Sequence, residues 1–106
     1  MRLMINDFLT VKKGVVGSNK DNASITRMNS ALNTYMIRLA EVHLNYAEAV
    51  LGNNTSTADA NALIYVNQLR TRAGLEEKTS LTYDDIIHER RVELCMEGQF
   101  WFDLVR

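Results

Sequence analysis

Polar and apolar residues follow a helical period over three stretches of the chain. Between Met36 and Leu51 the polar residues Arg38, Glu41, Asn45 and Glu48 recur at steps of 3, 4 and 3, which puts them on one narrow stripe. Almost everything else around that helix is apolar: Met36, Ile37, Leu39, Ala40, Val42, Leu44, Tyr46, Ala47, Ala49, Val50 and Leu51. A helix with so little polar surface has to be covered on more than one side, so it is a central element. Gly52 supplies its stop.

A second helix is predicted after Ser56 or Thr57, with Ser56-x-x-Asp59 as a capping box in which an acid sits near the positive end of the helix. It runs to Ala73, where Gly74 ends it and Leu75 folds back on the last turn. Its buried seam is Ala62, Val66, Leu69 and Ala73, with Tyr65 beside it. The loop 52–57 is short, so the first two helices form an antiparallel hairpin. A third helix is predicted from Thr82-x-x-Asp85 through to Gly98. Ile87 and Leu94 make one apolar line on it, and Val92, Cys95 and Met96 make another. The residues after Gly98, QFWFDLVR, read as the start of a fourth helix with no stop signal, as though cut short.

Residues 1–33 have a different character. Phe8 to Val16, FLTVKKGVV, is β-branched and reads as an extended or edge-strand segment. Gly17 to Asn33 is rich in Ser, Asn, Asp and Thr and reads as a loop. The expected organisation is therefore an irregular or extended arm over 1–33 and an all-α segment over 34–106.

Composition narrows the picture. The chain has no proline where a chain of 106 residues would ordinarily have about five, which suits a helix-dominated fold. Twelve basic residues against thirteen acidic ones leave a formal charge of −1, so nothing electrostatic points to nucleic acid. The apolar runs are short and broken by charges, so no transmembrane segment is expected. Asp7, Lys12 and Lys13 interrupt the stretch that a secretory signal would need unbroken. The single cysteine, Cys95, excludes an internal disulfide and reads as a small buried hydrophobe.

Residues able to carry chemistry form no catalytic or metal-binding pattern. His43 and His88 lie on different helices without a second ligand one turn away. His43 is expected as a hydrogen-bonded core histidine and His88 as a surface residue. No phosphate loop, nucleophile elbow or cofactor motif is present. Arg38, Glu41, Glu48, Arg90, Glu93 and Glu97 stand close to opposite charges and read as a structural ion-pair set. Arg38 is expected to pair with Glu41 and to reach an acid of the third helix, while Arg90 lies near Glu93 and Arg91 beside Glu89. Phe100, Trp101 and Phe102 are consecutive, so on a helix they point in different directions and cannot form one flat sugar-stacking platform. At least one of them is expected as a core anchor.

Three segments taken together resemble the late signature of the SusD/RagB family. The first is IRLAEVHLNYAEAV, with Arg38, Leu39, Ala40 and Glu41 followed by Ala47, Glu48 and Ala49. The second is VNQLRTRAGL, with Asn67, Arg70, Arg72, Ala73, Gly74 and Leu75. The third is IIHERRVELCMEGQFWFDLVR, with Glu89, Arg90, Glu93, Leu94, Glu97, Gly98, Asp103, Leu104 and Arg106. Two positions depart from the pattern: Met36 stands where proline is common, and Phe100 where arginine is common.

The resemblance implies tetratricopeptide-like helix pairs and a lipid-anchored protein on the outer membrane. It also implies glycan or nutrient binding together with a TonB-dependent SusC-like transporter, without catalysis. The matched motifs are structural, so no ligand contact is carried over, and self-association of the isolated segment is expected. A free-standing tetratricopeptide-like module that binds a protein partner is the alternative.

Overall fold

The structure is a computed structural model and describes residues 2–5, 8–11 and 33–105. The chain divides into two compact units, Met1–Tyr35 and Met36–Arg106. In the first, β1 (Arg2–Ile5) pairs antiparallel with β2 (Phe8–Val11), with Arg2 opposite Val11 and Ile5 opposite Phe8. Residues 12–16 of the predicted extended segment lie outside the described residues, as does the predicted loop up to residue 32.

The second unit is built from helices. The first of them, α1, spans Leu39–Leu51 and starts three residues later than the periodicity predicts. Arg38 is extended at φ −135° and ψ 163°, and its carbonyl accepts the Glu41 and Val42 amides at 3.0 and 3.3 Å. No side chain caps this end, and the Arg38 side chain crosses to Glu93, the last residue of the third helix. Pattern alone cannot see that departure, because Met36 and Ile37 continue the apolar rhythm. At the other end Gly52 takes φ +53° and its amide bonds the Glu48 carbonyl at 3.0 Å.

Helix α2 spans Ala60–Arg72 and is capped by Asp59, whose carboxylate accepts the Ala62 amide at 2.9 Å. The expected Ser56 cap is not used. Ser56 and Thr57 form β3, which pairs antiparallel with β4 (Leu81–Thr82). That short ladder ties the α1–α2 loop to the entry of the next helix. The far end of α2 closes with Gly74 at φ +75°. The Gly74 amide bonds the Thr71 carbonyl and the Leu75 amide bonds the Arg70 carbonyl, at 3.0 and 2.9 Å. These are the two bonds of a Schellman motif. Ala62, Val66 and Leu69 are buried, but Ala73 is exposed because the helix ends there and leaves the core.

Helix α3 spans Tyr83–Glu93 and begins with a full capping box. The Thr82 hydroxyl accepts the Asp85 amide at 3.3 Å, and the Asp85 carboxylate accepts the Thr82 amide at 3.0 Å. The helix does not reach Gly98. Met96 adopts φ +65° and Gly98 φ +80°, so the chain turns between Leu94 and Gly98 and then forms α4, Phe100–Val105. The expected apolar lines on α3 also give way. Ile86, Glu89 and Arg90 are the buried residues of the helix, while Val92 and Met96 are exposed and Ile87 and Cys95 half-buried.

The core gathers Ala40, Leu44, Ala47 and Leu51 of α1 with Ala62, Val66 and Leu69 of α2, and closes with Leu81, Ile86 and Leu94. Three alanines at the helix contacts leave room for close approach, while Leu44, Leu51, Leu81 and Ile86 fill the space. Each buried aliphatic side chain contributes roughly 1.5–3 kcal/mol through removal from water.

Among the described residues, one face of α1 is covered, that of Ala40, Leu44, Ala47 and Leu51. Leu39, Val42 and Tyr46 repeat at the helical spacing and remain exposed, Leu39 to 68%. Phe100, Trp101 and Phe102 are all exposed as well, so none serves as the expected core anchor among the described residues. An uncovered apolar surface of this kind drives association. Light scattering of the 106-residue chain is expected to give a mass that rises with concentration, and Val42→Glu is expected to reduce that rise. A monomer at every concentration would contradict it.

Candidate functional site

The charged residues in and beside the four helices meet each other. Arg38, just before α1, sends its Nε to both carboxylate oxygens of Glu97 at 2.9 and 2.8 Å. Its Nη1 lies 2.8 Å from the Glu93 carboxylate, and its Nη2 donates to the Glu93 carbonyl at 2.6 Å. That carbonyl belongs to the last residue of α3, whose final carbonyls have no partner inside the helix. The guanidinium therefore pairs two acids and caps a helix end at once. Hydrogen bonding to Glu97, against the opposing effect of burial and with help from Glu93, raises the Arg38 pKa above its ordinary value.

Arg72, at the end of α2, also pairs with Glu93. Since the start of α1 and the end of α2 meet the same carboxylate, the two helices run antiparallel. Burial pushes the Glu93 carboxyl up, but the hydrogen bonds from Arg72 and Arg38 outweigh it and hold the pKa below the ordinary value. One turn earlier Arg70 pairs with Glu89 of α3, which is buried. Its Nε donates to the Glu76 carbonyl at 2.7 Å and holds the chain just after the Schellman turn.

Arg90 is the most enclosed of these cations, at 3% exposure. Its Nε and Nη2 grip the two carboxylate oxygens of Asp103 on α4 at 3.1 and 2.8 Å. Its Nη1 donates to the Asn45 side-chain oxygen on α1 at 2.6 Å. One planar fork thus fixes α1, α3 and α4 together, a geometry that a lysine could not reproduce.

A fourth cluster fixes the segment between α2 and α3. The Asn67 side chain donates to the Lys78 carbonyl at 2.9 Å and accepts the Lys78 amide at 2.8 Å. Lys78 Nζ reaches the Asp85 carboxylate at 2.7 Å. The Lys78 hydrogen bond, with burial opposing and the Thr82 amide and hydroxyl assisting, holds the Asp85 pKa down to about 2.

Of the six residues expected as ion-pair candidates, the structure joins Arg38 with Glu93 and Glu97. Glu41 is half-buried, and its amide, not its carboxylate, meets the Arg38 carbonyl. Arg38 is drawn to α3, so the expected Arg38–Glu41 pair does not form among the described residues. Glu48 is half-buried on the same stripe. Arg90 pairs with Asp103 and not with Glu93, and Glu89 pairs with Arg70 and not with Arg91. The Arg91 guanidinium instead lies 5.2 Å from the centre of the Phe100 ring. The sequence reading did not single out Asn45, Arg70, Arg72 and Asp103 for this role. For Arg70, Arg72 and Asp103 the available signal is the motif set itself, to which all three belong, and for Asn45 it is the polar stripe of α1.

The remaining candidates stand apart. His88 is exposed. His43 is half-buried and stacks on Tyr65 at 4.7 Å, with Tyr46 edge-on to the same Tyr65 ring at 5.3 Å. Its Nδ1 is buried without a hydrogen-bond partner among the described residues, contrary to the expected hydrogen-bonded core histidine. The ring is packed face to face on Tyr65. Cys95 is free and half-buried. No cluster able to hold a metal ion occurs among the described residues. An open groove of ≈ 710 Å3 runs along α2 past Ile64, Gln68 and Thr71, walled by the pinned segment 77–79, and none of its lining residues is aromatic.

These features define an all-α scaffold whose charges are turned onto neighbouring helices. Residues 6–106 match the sequence profile of the SusD family, and the chain belongs to that family. It is 50% identical over 97 residues to a SusD-like protein of Bacteroides ovatus and 37% identical over 89 residues to SusD-like protein P2 of Formosa agariphila. Those alignments take in 90% and 73% of this chain but only 18% and 17% of the relatives, so the chain spans less than a fifth of their length. A crystal structure solved with a xylogluco-oligosaccharide superposes at a TM-score of 0.84 with 49% identity, over 92% of this chain and 20% of that one.

Two outcomes are expected. Arg90→Ala leaves Asp103 and Asn45 without their shared partner and should lower the unfolding free energy by about 3 kcal/mol, while Arg72→Ala, at a position 62% exposed, should lower it by less than about 1 kcal/mol. Urea titrations of the two variants measure the contrast. Asp85 has a folded pKa of about 2 against an ordinary 3.8. Its contribution is therefore complete above roughly pH 4 and is lost as the pH falls toward the folded value. Denaturation midpoints should fall across that window, and more shallowly in Asp85→Asn than in the parent chain.

Proposed function

We propose that this chain is the helical frame of a SusD-type protein that binds a glycan at the outer-membrane surface and passes it to a TonB-dependent SusC-like transporter. The observation that carries the reading is the 49% identical crystal structure solved with a xylogluco-oligosaccharide. A xyloglucan-type oligosaccharide is accordingly the first ligand to test. The role of frame, and not of ligand surface, rests on where the motif charges point. Arg38, Arg70, Arg72 and Arg90 all pair with acids carried elsewhere in the helical unit.

Binding without catalysis is part of the same reading. Guanidinium groups engage Glu89, Glu93, Glu97 and Asp103, and Glu93 is held below its ordinary pKa, which favours permanent ionisation over proton transfer. No described helix is long and apolar enough to cross a membrane. Attachment to the surface by a lipid anchor is part of the proposal and follows from membership in the SusD family.

Calorimetric titration with a xylogluco-oligosaccharide tests the division of labour. The 106-residue chain is expected to release no binding heat, while a protein of the relatives' full length that contains it is expected to bind. Saturable binding by the chain alone would overturn the frame reading, and no binding by the longer protein would overturn the choice of ligand.

A further inference from the structure

We draw no further inference here: the strongest candidate, the uncovered apolar face of α1 formed by Leu39, Val42 and Tyr46, is an unpartnered helix face, and nothing in the structure shows what covers it.

Discussion

A guanidinium group taken out of water has to be met by oxygens placed to receive it, and at Arg90 those oxygens come from two other helices. The rest of the helical unit follows from that demand. Asn45 must face α3, which fixes the rotation of α1 about its axis. Asp103 must return to α3, which requires the chain to reverse after Leu94. The reversal puts Met96 at φ +65°, a conformation that ordinary side chains adopt at a cost of order 1–3 kcal/mol. The same turn brings Glu97 to Arg38, so the strain is offset by an ion pair that also caps α3.

The apolar core alone would not choose this arrangement. Ala40, Leu44, Ala47 and Leu51 would pack against several helix registers at similar depth, because hydrophobic burial carries no direction. Charged pairs do carry direction. Arg70 to Glu89 and Arg72 to Glu93 join residues two apart on α2 to residues four apart on α3, which admits one alignment of the two helices. Buried pairs of this type add little net stability over well-packed apolar side chains, but removing one partner of a pair is costly because it leaves a buried charge uncompensated.

The sequence made the helices legible and left their ends obscure. The 3-4-3 polar stripe located α1, and Thr82-x-x-Asp85 located the start of α3 to the residue. Helix boundaries failed where long-range contacts decide them. Nothing local marks Arg38 as extended or Met96 as left-handed, since both conformations serve partners more than fifty residues away or on the following helix. The ion-pair candidates were legible as residues and not as pairs. Spacing within a helix suggested Arg38 with Glu41 and Arg90 with Glu93, whereas the structure matches charges across helices. The exposed Phe100, Trp101 and Phe102 show the same limit from the apolar side, because periodicity reports that a face is apolar and not what lies against it.

Membership in the SusD family rests on a match over residues 6–106, and the glycan reading rests on a crystal structure of which this chain covers 20%. The central claim is that the motif charges act by pairing across helices. A double-mutant cycle on Arg38 and Glu97, read by chemical denaturation, tests it most directly. The account predicts a coupling energy of about 1–3 kcal/mol, and a coupling below about 0.3 kcal/mol would contradict it.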